Sequence, residues 1–431
     1  MTSPPACLPP AHASDLHVDE VHRRIDALIA RCRPVLPAEN IALDRALGRV
    51  LGQDVHSPVS VPPHDNAAMD GYAFASSALQ QGADEPLHLR IVGKARAGAA
   101  WAGTVAPGEA VRIMTGAVMP DGADTVVPQE LCEADDTTLR FAPHAVVAGA
   151  NRRQAGEDLQ AGGLALARGE RLGAAALGLL ASLGQTHVGV YRRLRVAVVS
   201  TGDELLQPGQ PPRPGAIYDS NRATLSTLVR QLGAELVDLG PVPDDPGVLA
   251  ALFTSAAHQA DLVLSSGGVS VGEADHTRAA LAQAGELGFW HVAMRPGRPL
   301  AAGLLQGAGG HAALFLGLPG NPVAAMVSFL IFGRQALLQM AGCGPAVARL
   351  PPLLRARTRQ ALRKRPGRTE YQRALLQPVP GDLPVVDVAA NQSSAVLSAM
   401  VAANALVVLH HDQGSVQPGD EVDVLLLDAL G

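Results

Sequence analysis

From Arg195 onward the chain alternates short, almost purely apolar runs with helix-patterned segments, and this alternation most limits what it can fold into. VAVVS at 196–200 leads into ATLSTLVRQLGAEL, and VDLGPV precedes a helix-like stretch after Asp244. DLVLSSGG precedes another such stretch after Asp275, and ALFLGLPG precedes PVAAMVSFLIFGRQALLQM. Strands alternating with helices require right-handed crossovers and give a mostly parallel, doubly wound α/β sheet. The apolar runs are continuous rather than alternating, as expected of strands covered by helices on both faces.

The flanking regions obey a different pattern. Val18, Val21, Ile25, Leu28 and Ile29 recur at helical spacing over Val18–Cys32, with Asp19 and Glu20 near the start, which predicts an amphipathic helix. Residues 58–163 break into short segments such as HLRIVGKA, AVRIMTG and DTVVPQE between Gly and Pro turns, which predicts a mainly β domain. Beyond Gly342 the short β segments return, with VQPGDEV as a hairpin turn, and predict a small C-terminal β-barrel or sandwich. The expected organisation is a frayed tail at 1–13, an N-terminal linker-like domain from 14–57 and 164–191, an inserted β domain at 58–163, the α/β domain at 192–342 and the barrel at 343–431.

Lys plus Arg number 34 against 40 Asp plus Glu, a net charge of −6 that argues against a general nucleic-acid binder. Aromatics are 3% of the chain, too few for stacking platforms. No run approaches the ~20 apolar residues needed to span a bilayer, so no membrane association is expected. The four cysteines form no CxxC pair, which points to a reducing cytoplasm and away from a cysteine-held metal.

Ligands of open α/β sheets bind beyond the carboxyl ends of the strands, and the unusual segments of this domain fall there. They are STGDE at 200–204, PDDP at 243–246, SSGGVSVGEAD at 265–275 and LPGNP at 318–322. Gly267, Gly268 and Gly272 let the backbone approach an anion closely, and Ser265, Ser266 and Ser270 add donors, so a phosphate-bearing ligand is expected; an ordinary βα turn is the bland alternative. STGDE can equally be a helix N-cap. Glu204, Asp244, Asp245 and Asp275 would crowd negative charge onto the same rim, a repulsion that a bridging Mg²⁺ resolves, although Asp244 and Asp275 taken singly read equally well as caps. Arg295 and Arg298, set among prolines in RPGRP, suit a tetrahedral oxyanion, and His291 is a weaker candidate.

HDNAAMDGYA at 64–73, RIMTGAVMPDGADTVVPQE at 112–130, RRQAGED at 152–158, STGDEL, IYDSNR at 217–222, DDP, SSGGVSVGEAD, PGRP and GLPGNPV stand in one order along the chain. Together they resemble the molybdopterin molybdenumtransferase family over almost the whole length, and the C-terminal region of gephyrin. The resemblance implies a four-domain homodimer that takes adenylylated molybdopterin and molybdate, inserts the metal and releases AMP. By motif, Asp70 and Thr115 would enter the site from the partner subunit. Glu204, Asp244 and Asp275 would be the carboxylates of the α/β domain and would hold Mg²⁺. Pro319 and Pro322 would shape a wall, with Arg373 and Ser394 closing the site from the barrel. Where the family commonly has Lys, this chain has His291, Arg295 and Arg298. Adenylyl transfer to molybdopterin and a partner-binding scaffold are the alternative functions.

Overall fold

The computed structural model describes residues 15–32, 36–80, 85–243, 245–267, 285–307 and 310–430. Helix α1 (Val18–Cys32) buries Val18, Val21, Ile25 and Cys32, while Glu20 pairs with Arg24 one turn on. Its apolar face packs into the core of the α/β domain, against residues such as Val292, Leu304 and Phe332, rather than onto its neighbours in sequence. The N-terminal unit is a small cluster around Leu51, Leu172, Leu180 and Val190, where Ala38–Ala42 pairs antiparallel with His187–Tyr191. The insert leaves and re-enters it through a short antiparallel pairing of Val55–His56 with Leu164–Leu166.

The insert is built on β1 (Gly71–Phe74), β2 (Leu87–Ala95), β3 (Glu109–Ile113), β4 (Thr125–Pro128), β5 (Cys132–Ala134) and β6 (Thr138–Phe141), ordered β4-β1-β3-β2-β6-β5. β1 and β4 are buried throughout, because apolar clusters cover both faces of the sheet centre.

The α/β sheet comprises β7 (Arg195–Thr201), β8 (Glu235–Val242), β9 (Leu262–Ser266), β10 (Gly285–His291), β12 (Pro299–Gln306) and β13 (Ala312–Leu318); the short β11 (Met294–Arg295) between β10 and β12 belongs to the next domain. The order is β8-β7-β9-β13-β12-β10. The four strands expected from the apolar runs are parallel, and β10 and β12 add an antiparallel edge that the periodicity does not announce. Helices α2 (Ser220–Gln231), capped by Asp219, and α3 (Pro246–Gln259), capped by Asp245, cover opposite faces with the help of α4 (Pro322–Ser328). The helical run Pro322–Met340 is apolar and long enough to cross a membrane, and 89% of it is buried inside the protein, which makes it a core helix here.

In the C-terminal domain β14 (Leu354–Thr358), β15 (Thr369–Gln377), β16 (Val385–Val388), β17 (Ala405–Leu409) and β18 (Glu421–Leu426) close into a five-stranded barrel through the β15–β17 pairing. β11 pairs in parallel with β15, so the barrel takes one strand from the chain that links two α/β strands. The turn at Gln417–Asp420 joins the barrel strands as the VQPGDEV pattern predicts, with Gly419 at φ +90°.

Candidate functional site

Three parallel strands and one helix end converge at the carboxyl edge of the α/β sheet. Thr201 closes β7, Ser265 and Ser266 close β9, and Pro319 follows β13. Gly267 takes φ +96°, and a Cβ there would stand 2.6 Å from the Thr201 carbonyl oxygen, so only glycine fits this turn. Asn221, in the first turn of α2, donates through Nδ2 to Ser266 Oγ (2.8 Å) and to the Gly320 carbonyl (2.7 Å), which binds the helix start to two strand-end loops.

The same edge holds polar atoms whose hydrogen-bonding capacity is not met by the described residues. Thr201 Oγ1, Ser265 Oγ and Asn221 Oδ1 are buried and have no hydrogen-bond partner among the described residues. Buried polar atoms are nearly always paired, so these three atoms, close to one glycine turn, are the ones at this edge able to take a partner beyond the described residues. Gly268, Ser270, Gly272, Asp244 and Asp275, all expected at this site, lie outside the described residues.

STGDE does not cap a helix. Gly202, at φ +152°, turns the chain into Leu205–Leu206, which pairs with Ile217–Tyr218 before α2 begins; the cap is Asp219, which accepts from Arg222 N–H (3.0 Å) and from Ser200 Oγ (3.1 Å). Glu204 is therefore exposed on a loop. In PDDP the cap is Asp245, whose Oδ1 accepts from Val248 N–H at 2.9 Å. Among the described residues no three His, Cys, Asp or Glu side chains are arranged to hold a metal. Of the three proposed magnesium ligands only Glu204 is described, and an exposed carboxylate on a strand-end loop is a hard oxygen donor of the type magnesium takes.

Asp70 and Thr115 sit together on the insert, where Thr115 donates to Asp70 Oδ1 from both its backbone N–H and its hydroxyl, each at 2.7 Å. These hydrogen bonds, backbone first, hold the Asp70 carboxyl below the usual aspartate range. Among the described residues the strands β1–β6 that carry them pair only with one another, so the pair reaches the α/β edge through no shared sheet.

The arginines divide. Arg298 is clamped by Asp15, with Nε and one terminal nitrogen each 3.0 Å from a carboxylate oxygen, and Asp15 is only 5% exposed. Residue 16 follows directly in a bridge to Val292, which fixes that clamp. Two of the Arg298 donors expected to face an oxyanion are thus engaged. Arg295 has no such partner among the described residues and lies beside an open cleft. Arg373 is 1% exposed; it donates to the carbonyls of Ser393 (3.1 Å) and Asn391 (2.9 Å), and burial, then the Arg295 charge, push its pKa down. It shapes the 391–394 loop, whose Ser394 carbonyl accepts from Val323 N–H (3.0 Å) in the first turn of α4, beside Pro322. His291 contributes its carbonyl to Leu16 N–H.

Sequence reasoning singled out neither Asn221 nor the Asp15–Arg298 pair. Asn221 lies within IYDSNR, and a polar residue just inside a predicted helix start was the available signal. A pairing across 283 residues leaves no local signal.

Comparison with known proteins places these features in a shared frame. Residues 16–184 match the model of the MoeA N-terminal region (domain I and II), 197–339 that of a probable molybdopterin binding domain, and 355–427 that of the MoeA C-terminal region (domain IV). A Haemophilus influenzae molybdopterin molybdenumtransferase is 40% identical over 388 residues, covering 90% of this chain and 93% of the relative. One from a Nostoc species is 37% identical over 391 residues, covering 90% and 88%. A crystal structure of a molybdopterin biosynthesis MoeA protein from Pyrococcus horikoshii superposes with a TM-score of 0.78 at 25% identity, covering 95% of this chain and 99% of that one.

Proposed function

The chain belongs to the molybdopterin molybdenumtransferase family, and from that premise we propose that it transfers molybdenum from molybdate to adenylylated molybdopterin and releases AMP. The observation that supports this reading is the set of buried polar atoms of Thr201, Ser265 and Asn221 around Gly267, unpartnered among the described residues, at the carboxyl edge of a parallel sheet. That edge offers donors and a close backbone approach to a phosphate-bearing ligand.

The division of labour follows from the residues. Ser265, Ser266 and Gly267 at the turn, together with Gly268, Ser270 and Gly272 of the same sequence motif, hold the phosphates of the pterin nucleotide, with Pro319 and Pro322 as the wall. Glu204, Asp244 and Asp275 hold Mg²⁺, which when bound neutralises charge along the phosphoanhydride. Arg295, which has no carboxylate partner among the described residues, receives molybdate. Arg373 acts by holding the Ser394 loop in place, and Arg298 by its remaining donor. Asp70, kept ionised by Thr115, serves the site of the partner subunit in a homodimer. Molybdenum is substrate, and its sulfur ligands come from the pterin, so no cysteine cluster is required. Cys32, Cys132 and Cys343 are free thiols, in keeping with the reducing cytoplasm we assign.

The test is incubation of the purified protein with adenylylated molybdopterin. AMP release that depends on molybdate is the expected result. A requirement for ATP would instead indicate adenylyl transfer, and absence of turnover would indicate a scaffold.

A further inference from the structure

The C-terminal barrel carries a cleft of about 940 Å³ where β11 joins it, and among the described residues no acidic side chain lines this cleft. Its rim carries Arg295, Arg363 and Arg365, and Val388, Ala389 and Ala390 form an apolar wall. None of the three arginines has a carboxylate partner among the described residues. Their neighbours in the same domain do: Arg355 pairs with Glu421 and Asp423, Arg357 with Asp382, Arg359 with Asp387 and Arg368 with Glu370. Three guanidinium groups without a carboxylate partner among the described residues thus meet on one concavity, where they repel one another unless an anion joins them.

The loop that presents two of them is rigid. Leu362 and Lys364 are buried while Arg363 and Arg365 are exposed, so alternate residues anchor and present. Leu362 exchanges backbone hydrogen bonds with Val416 at 2.9 and 3.0 Å. Lys364 directs Nζ at the carbonyls of Gln413 (2.8 Å), His411 (3.2 Å) and Arg365 (3.3 Å), which pins the backbone between the two arginines. Gln360 accepts from Val388 N–H through Oε1 (2.8 Å) and keeps its amide NH₂ without a partner among the described residues. A pinned loop costs little entropy when a ligand binds, and paired guanidinium groups match phosphate oxygens.

The size decides between a bare ion and a larger molecule. Small-molecule pockets span about 300–1,000 Å³, and this cleft lies within that range, far larger than one tetrahedral oxyanion needs. We propose that the cleft is a second site, separate from the glycine turn at Gly267, for a phosphate monoester of nucleotide size, its phosphate on Arg363 and Arg365, with Arg295 left to molybdate at its edge, and its organic body against Val388–Ala390. The molybdenum-insertion reading does not require this site, and the two stand or fall separately.

The experiment titrates the full-length protein, with methyl-labelled valine and alanine, with AMP, adenosine and inorganic phosphate. AMP is expected to shift the Val388 and Ala389 methyl resonances saturably, and adenosine and inorganic phosphate to act at least tenfold more weakly. The R363Q/R365Q double variant is expected to weaken the AMP response at these methyls at least tenfold and to leave molybdate-dependent AMP release within twofold of the parent. Unmoved methyls, an unchanged response in the double variant, or equal affinity for adenosine would overturn the proposal, and inorganic phosphate binding as well as AMP would overturn the assignment of an organic body. Should the parent show no turnover, the function proposed above fails while the methyl titration still decides this one.

Discussion

Asp70 on the insert receives two hydrogen bonds from Thr115 with no ligand present, whereas Thr201 and Ser265 on the α/β edge are buried with hydroxyls that bond to nothing described. The first region is complete and largely open to solvent, its carboxylate already ionised and oriented. The second is desolvated, and among the described residues its hydroxyls have made no hydrogen bond. A complete group loses little when its ligand is absent and serves to position; an incomplete one gains most of its stabilisation from the ligand and serves to bind. Asp70 is thus expected to govern turnover, and the strand-end cluster to govern affinity.

The comparison breaks most sharply at Gly267. Replacing it by Ala sets a Cβ against the Thr201 carbonyl at a φ of +96°, with a stability cost of about 1–3 kcal/mol. We expect a lower midpoint in thermal denaturation and affinity for adenylylated molybdopterin reduced ~100-fold or more, read by calorimetry, because the backbone approach to phosphate is lost. Near-parental affinity would remove Gly267 from the site.

Next in size is the complementation test. Asp70→Ala and Asp275→Ala homodimers are each expected to be inactive, and equal mixing with subunit exchange should restore about a quarter of parental activity, half the dimers each holding one intact site. No recovery, with mixed dimers demonstrated by mass, would place both residues in one subunit.

Asn221→Ala probes the incomplete region more gently. Loss of one or two neutral hydrogen bonds at about 0.5–1.5 kcal/mol each should weaken pterin-nucleotide binding severalfold with turnover at saturation little changed. A fall in turnover without a change in affinity would reverse the assignment of the two regions.

The smallest effect is a titration. The Asp70 carboxyl is held below the ordinary aspartate range, so its hydrogen-bonded, ionised form is present above the unfolded value of about 3.9 and is lost only as pH falls through the lower folded value. Carboxyl carbon NMR should show that low midpoint, and Thr115→Val, which keeps the backbone donor, should raise it only part of the way. A midpoint unmoved by the variant would show that the hydroxyl contributes nothing.

Much of this was legible in the sequence where the signal is local. The runs at 196–199 and 262–264 are apolar without interruption because both faces of β7 and β9 are covered, and the short strands of the insert and the barrel announce themselves through Gly and Pro turns. The face of α1 was readable from its period, but its partner was not, since periodicity says which residues are buried and not against what. Asp70 and Thr115 were named by motif, yet their hydrogen bond joins residues 45 apart. The clamp of Asp15 on Arg298 spans most of the chain and turns a residue read as an open oxyanion receptor into one with two donors engaged.

The two outer parts of the chain are attached to its centre in mechanically different ways. The barrel is stitched on, because Met294–Arg295 pairs with Thr369–Glu370 in the middle of a passage between two α/β strands, and swinging the barrel aside means unzipping a sheet. The insert hangs from a pair of antiparallel segments two or three residues long, Val55–His56 and Leu164–Leu166. Two tethers side by side resist twisting and yield to bending in one plane, so they act as a door hinge rather than a swivel. Bending of the insert is thus confined to an arc, and stiffening those few residues would set how often the door swings without touching the carboxylate it carries.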